Sequence, residues 1–178
     1  MNVSLIQSNK LKKNLHRMNQ KQEQNLIDRV IKISRVSKVT KGGKKLSFRA
    51  IVVVGDGKGK VGVGVAKADD LTNSIEKAKT DGIKRLITIP LTKSLSIPHE
   101  VISRLGACKI IMKPAIEGSG VIAGGSVRIV LEVAGVKNVI AKQLGSDNVL
   151  NNALNTIFAL NQLTTKNEVL KKRNLNLK

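Results

Sequence analysis

Two glycine-rich clusters, a set of cations gathered at turns, two histidines and one cysteine are the residues of this 178-residue sequence whose types and spacing could do chemistry. Glycine-rich loops can cradle phosphate on backbone N–H groups, so both clusters need testing as nucleotide sites. Gly57, Gly59 and Gly62 satisfy G-x-G-x-x-G, and Gly118, Gly120 and Ala123 satisfy G-x-G-x-x-A, with Gly124-Gly125 beside them. Neither is a P-loop, because Gly62 is followed by Val63 and Gly125 by Ser126 where Gly-Lys-Ser/Thr is required. The first cluster runs into a two-residue alternation where a dinucleotide site needs a helix, so it reads as a hairpin turn. The second lies between a predicted strand and helix. However, the acid that holds a ribose about 20 residues on is replaced by Asn138, Val139 and Ile140. Tight packing of a helix on a sheet explains that cluster better than a nucleotide does.

Nucleophilic and metal chemistry find little support. His99 follows Pro98 in a turn with no Ser or Cys partner at useful spacing, and Cys108 lies at a strand edge, where an inert buried thiol is commoner than a nucleophile. Both read as structural. Two histidines, His16 and His99, with one thiol cannot build the usual four-ligand zinc site, and the lone cysteine cannot close an internal disulfide, which fits a reducing compartment. The acids are scattered apart from Asp69-Asp70, a pair placed to cap a helix N-terminus. No catalytic residue, metal site or cofactor is assigned.

The cations say more. Lys and Arg number 32 against 12 Asp and Glu, a net charge of +20 and a sequence pI of about 10.5, which points to a polyanionic partner. Arg35, Lys38, Lys41, Lys44, Lys45 and Arg49 surround one predicted hairpin, and Lys58, Lys60 and Lys67 surround the next. Flexible cations flanking glycine turns can approach phosphates closely. With two Phe and no Trp or Tyr there is almost no surface for base stacking, so backbone and shape recognition are expected. Apolar runs such as Val52–Val54 and Ile110–Met112 are far shorter than the ~20 residues of a membrane helix, so no membrane partner is expected.

Positioning these groups requires elements, and 41% hydrophobic content with few prolines excludes wholesale disorder. Residues 1–25 read as a basic flexible arm; their Asn/Gln-rich composition with a single Arg argues against a transit peptide. A hairpin turns at Lys41-Gly42-Gly43-Lys44, and a third strand follows at Val61, Val63 and Val65, with Gly62, Gly64 and Ala66 on its other face. Leu71, Ile75, Ala78, Ile83 and Leu86 recur at helical spacing, so three strands plus a helix make residues 26–88 a first domain. A strand is expected over Thr88–Leu95, and a second domain over residues 89–163. In it Lys109–Pro114 reads as a strand, Val127–Ala134 as a helix stopped by Gly135, Val139–Leu144 as a strand, and Leu150, Ala153, Leu154, Ile157 and Leu160 as one helical stripe. Residues 164–178 are expected to fray as a basic tail.

Arg35-Val36-Ser37-Lys38, Lys41-Gly42-Gly43, Val53-Val54-Gly55-Asp56-Gly57, Gly120-Val121-Ile122-Ala123-Gly124-Gly125, Arg128 and Leu131-Glu132-Val133-Ala134-Gly135-Val136 occur in this order, and together the pattern resembles bacterial-type small-subunit ribosomal protein five. The match runs from about Leu26 to Leu163. It implies an α+β fold: an N-terminal domain similar to double-stranded-RNA-binding folds, then a βαβ domain with a left-handed crossover. It also implies a structural role without turnover: binding small-subunit ribosomal RNA near the neck and decoding region, close to where messenger RNA enters, and supporting assembly and accuracy. Ser37, Lys41 and Gly42 match the family's RNA-reaching hairpin, while Gly120 and Arg128 match positions at the contact with ribosomal protein four. Ribosomal protein eight is the other implied neighbour. The third strand, Val63-Gly64-Val65-Ala66, departs from the family's usual aromatic and further glycine there. Leu91-Thr92-Lys93-Ser94 and Lys142-Gln143-Leu144-Gly145-Ser146 resemble cyanobacterial and plastid members, so a plastid ribosome is favoured over a bacterial cytoplasm. The competing readings are a free double-stranded-RNA-binding regulator and a nucleotide-dependent RNA-modifying enzyme using Gly118–Gly125.

Overall fold

The computed structural model describes residues 26–174; the expected basic arm, residues 1–25, lies outside the described residues. Strands β1 (Ile27–Thr40), β2 (Gly43–Gly55) and β3 (Lys60–Ala68) form an antiparallel meander, and helix α1 (Leu71–Lys84) follows. Alternation along β2 and β3 sends Val52, Val54 and Ala50 to one face with Gly62 and Gly64, where α1 lies. Ile51, Val53, Val61 and Val63 point to the other face. The glycines set the distance on the α1 side. A Cβ on Gly64 would sit 1.9 Å from the Ala78 carbonyl oxygen, and one on Gly62 would sit 2.4 Å from that of Gly82. Gly82 is thus part of a backbone-to-backbone contact, and α1 continues through it to Lys84.

The expected strand over Thr88–Leu95 is cut to β4 (Ile87–Thr88), which adds a fourth, edge strand beside β3. Pro90 cannot donate to a ladder, and the chain instead closes a turn in which the Thr92 amide and hydroxyl both donate to the Ser96 carbonyl at 3.0 Å. Sequence periodicity also misses β5 (Val101–Leu105). It pairs with β6 (Cys108–Pro114), which pairs with β8 (Val139–Leu144), both antiparallel. The parallel partner of β8 is the short β7 (Val121–Ile122), reached across helix α2 (Gly125–Ala134). The βαβ unit therefore starts inside the glycine-rich stretch. Gly118 and Gly120 precede strand β7 instead of opening a helix, which removes the strand–turn–helix context a dinucleotide site requires.

Helix α3 (Val149–Asn161) starts at Asn148, whose side-chain oxygen accepts from the Leu150 amide at 3.2 Å. The expected apolar stripe packs on the core, and the buried face extends beyond it to polar residues. Asn152, Ala153, Asn155, Thr156, Ala159 and Leu160 are buried, while Leu150, Leu154 and Ile157 are half-buried. Asn155 is satisfied by tertiary partners: its Oδ1 accepts from the Ser103 hydroxyl at 2.8 Å and its Nδ2 donates to the Cys108 carbonyl at 3.1 Å. The expected tail does not fray over Lys166–Lys172, and residues 175–178 lie outside the described residues. Helix α4 (Lys166–Lys172) is held by a capping box, with the Thr165 hydroxyl accepting from the Glu168 amide and the Glu168 carboxylate from the Thr165 amide.

One core joins the two halves. Ile51, Val53, Val61 and Val63 from the first sheet share a buried cluster with Val127, Val130 and Leu131 of α2, Leu160 of α3, and Ile110, Met112 and Val139 of the second sheet. The layers run α1, first sheet, α2 with α3, second sheet.

Candidate nucleic-acid interface

The β1–β2 hairpin outruns its sheet. The last β2 residue paired to β3 is Phe48, opposite Ala68, so residues 36–47 form a two-stranded arm about 20 Å long at roughly 3.3 Å per residue. A two-residue loop, Lys41-Gly42, closes it between Thr40 and Gly43. The Thr40 hydroxyl donates to the Gly43 carbonyl at 3.0 Å, and Gly43, at φ +147°, takes a conformation other residues rarely adopt. Such an arm has no core of its own.

Cross-strand register decides which cations meet. Lys38 stands opposite Lys45, and Arg49 opposite Lys67 on β3, while Arg35 faces Phe48 and Lys44 faces Val39. Like charges directly opposite destabilise a sheet, so the Lys38–Lys45 and Arg49–Lys67 pairs favour an anion placed over them. Lys45 has one already: its Nζ lies 3.0 Å from Asp69 Oδ2, and the Ser47 hydroxyl donates to Asp69 Oδ1 at 3.1 Å. The hydrogen bond from Lys45, then that from Ser47, then the Lys45 charge hold the Asp69 carboxyl below the usual carboxylate range. Asp69 therefore ties the arm's base to the start of α1. Asp70 occupies the N-cap position without a side-chain cap bond, its carboxylate accepting instead from Asn73 Nδ2 at 2.9 Å. Arg35, Lys38, Lys41, Lys44, Arg49 and Lys67 form no ion pair among the described residues.

Lys58 and Lys60 sit elsewhere. The β2–β3 turn is at the opposite end of β2 from Lys41, about 40 Å away for a 13-residue strand. That turn is docked. The Gly57 amide donates to the Val133 carbonyl at 3.1 Å and the Gly59 amide to the Ala134 carbonyl at 2.9 Å, satisfying the last carbonyls of α2. Asp56 braces it by accepting from the Lys58 and Lys60 amides at 2.8 and 2.9 Å. The Lys58 and Lys60 side chains remain exposed, but on a surface separate from the hairpin.

Gly120 lies at φ +71° in a loop with open space around it, and Arg128 is exposed on α2. Arg128 Nε donates to Glu132 Oε1 at 2.8 Å, and Glu132 Oε2 accepts from Arg29 Nη1 of β1 at 3.0 Å. The residue that shapes the loop is Asn138. Its buried side chain accepts from the Gly118 amide at 3.0 Å and donates to the Ser94 carbonyl at 2.7 Å. Replacing it by Ala orphans both groups, and Asn138→Ala is expected to cost about 1–2 kcal/mol in urea unfolding. His99 is also structural: the Thr164 amide donates to its Nε2 at 3.2 Å, and its Nδ1 lies 2.8 Å from the Glu100 carbonyl oxygen. Cys108 is buried. Among the described residues no group of His, Cys, Asp or Glu could hold a metal ion, and no helix is long and apolar enough to cross a membrane.

A cationic arm projecting from a closed sheet-and-helix core is the build of a structural nucleic-acid-binding protein. Comparison with known proteins makes this specific. Residues 26–90 match the family described as Ribosomal protein S5, N-terminal domain, and residues 103–173 match Ribosomal protein S5, C-terminal domain. Small ribosomal subunit protein uS5c of Phaeodactylum tricornutum is 70% identical over 98% of this chain and 99% of its own length. That of Thalassiosira pseudonana is 68% identical over 97% of each chain, and uS5 of Acaryochloris marina is 61% identical over 83% of this chain and 84% of its own. The chain belongs to the ribosomal protein S5 family. It is a structural component of the small ribosomal subunit rather than an enzyme, and its relatives place it in a plastid ribosome.

Proposed function

We propose that the chain holds small-subunit ribosomal RNA through the β1–β2 arm, with Lys38, Lys41, Lys44, Lys45 and Arg49 on phosphates and Ser37, Gly42 and Gly43 allowing close approach. The arm's cations without an ion pair among the described residues, Lys38, Lys41 and Lys44 with Arg35 and Arg49 at its base, carry this reading, because a polyanion supplies the counter-charge they lack. Arg35 and Lys67 extend the same surface, whereas Lys58 and Lys60 serve a separate RNA segment.

The first sheet with α1 acts as a unit similar to a double-stranded-RNA-binding domain, and the β7–α2–β8 crossover is left-handed, as the resemblance implies. Gly120 and Arg128 face ribosomal protein four, ribosomal protein eight is a second neighbour, and the arm lies near the neck and decoding region. Assembly and accuracy depend on these contacts. In a sucrose gradient of native lysate, the chain is expected to sediment with the small subunit at moderate salt and to shift toward the soluble pool after a high-salt wash. A chain found only in the soluble pool at moderate salt would favour the free RNA-binding regulator.

A further inference from the structure

One carboxylate stands among the arm's cations. Alternation puts Lys45, Ser47 and Arg49 on the same face of β2, and pairing adds Lys38 opposite Lys45 and Lys67 opposite Arg49. Strand β3 ends at Ala68, opposite Phe48, so Asp69 stands one step further on, level with Ser47. Its two carboxylate oxygens are divided between donors of the arm: Oδ2 lies 3.0 Å from Lys45 Nζ, and Oδ1 accepts from the Ser47 hydroxyl at 3.1 Å. Lys38, Arg49 and Lys67 on the same face form no ion pair among the described residues, and Arg49 Nε is buried there without an acceptor. Helix capping does not explain Asp69, because Asp70 holds the N-cap position of α1. Two anionic oxygens set on an ammonium and a hydroxyl, within a row of cations, reproduce what a backbone phosphate offers.

From this geometry we infer that Asp69 is an internal stand-in for an RNA phosphate: it occupies Lys45 and Ser47 in the free chain and yields them to the RNA backbone when the arm binds. Exposure decides between yielding and staying. The Lys45 and Asp69 side chains are each 65% exposed, and an ion pair so open to water holds weakly, so a phosphate can reach Lys45 and exchange with the carboxylate. A carboxylate left in place would instead face the phosphates held by Lys38 and Arg49, like charge against like. Until RNA arrives, the contact ties the coreless arm to the end of β3 and covers one of its charges. A polyanion gains Lys45 only by displacing Asp69. The exchange therefore subtracts from both affinity and salt dependence, because RNA releases a counterion at Lys45 while Asp69 takes one up.

The inference rests on the arm being the surface that holds RNA, and the experiment separates the two. Binding of the full chain to small-subunit ribosomal RNA is measured across a salt series for Asp69→Asn, Lys45→Ala and the double variant, with circular dichroism as the check of the fold. Asparagine keeps an oxygen for Ser47 but carries no charge. Asp69→Asn is expected to tighten binding about three- to tenfold near 0.1 M salt and to steepen the slope of log affinity against log salt by about 0.7–0.9, the contribution of one phosphate contact. With Lys45 already replaced by Ala, the same substitution should change affinity less than about twofold and leave the slope alone, because the carboxylate then has no cation to release. Weaker binding by Asp69→Asn would make the carboxylate a brace that stays in place, an equal gain with and without Lys45 would make it a general charge effect, and unchanged affinity and slope would leave no exchange; each overturns the inference. Lys41→Glu with Lys44→Glu, run alongside, reports on the arm itself. An unaltered slope in that variant overturns the proposed function, whereas a flattened slope together with any of the three results above overturns the inference alone.

Discussion

Gly64→Ala is expected to cost about 3 kcal/mol or more, although it adds a single methyl group. The new Cβ would stand 1.9 Å from the Ala78 carbonyl oxygen and 2.4 Å from the Gly82 amide nitrogen, both backbone atoms of α1. Neither can turn aside as a flexible side chain would. Relief requires α1 to lift from the sheet, which opens the contacts of Ala78 with Ala50, Val52 and Val54 along its length. Thermal unfolding should show the midpoint falling by roughly 6–12 °C for a chain of this size. Gly42→Ala is the control: nothing lies within 4 Å of its new Cβ, so a change within about 0.5 kcal/mol is expected. Equal effects at the two positions would show that α1 is not seated on Gly64.

This close approach divides the third strand into two unlike faces. Val61 and Val63 fill the core shared with α2, so the opposite face of β3 needs no bulk and carries glycine where the helix backbone arrives. Period-two alternation made that division readable from sequence, as it did the hairpin, and the 3.6-residue period located α1, α2 and α3. Elements whose pattern depends on distant partners were not readable. Strand β5 buries Ser103, a polar residue, because Asn155 more than fifty positions later satisfies it. The same pairing turns the buried face of α3 toward Asn152, Asn155 and Thr156. Strand β7 is two residues long, too short for any period, and is fixed by its parallel partner β8.

The candidate site divides along the same line. The tip cations and Gly42 follow from local turn chemistry, whereas the docking of the Gly57–Gly59 turn on the end of α2 is tertiary and has no local signature. Both hairpins looked alike in sequence, each with lysines around glycines. Only one projects as a free arm, because the other supplies amide donors that the last carbonyls of α2 otherwise lack. Gly135 records this fit: it stops α2 at φ +86°, and a Cβ there would lie 2.1 Å from the Gly57 carbonyl oxygen.

Lys41→Glu with Lys44→Glu is expected to weaken binding to small-subunit ribosomal RNA by roughly ten- to a hundredfold near 0.1 M salt, and to flatten its dependence on salt. Each phosphate contact contributes about 0.7–0.9 to the slope of log affinity against log salt, so losing two should reduce that slope by about 1.5. Stability should change little, because both side chains are exposed and neither forms an ion pair among the described residues. Lys58→Glu with Lys60→Glu provides the contrast. Those residues lie at the far end of β2, so on the same RNA their effect should add to that of the tip pair rather than replace it. An unchanged slope in the tip variant, with the fold intact by circular dichroism, would remove the arm from the RNA interface and move the search to the surface around the docked turn.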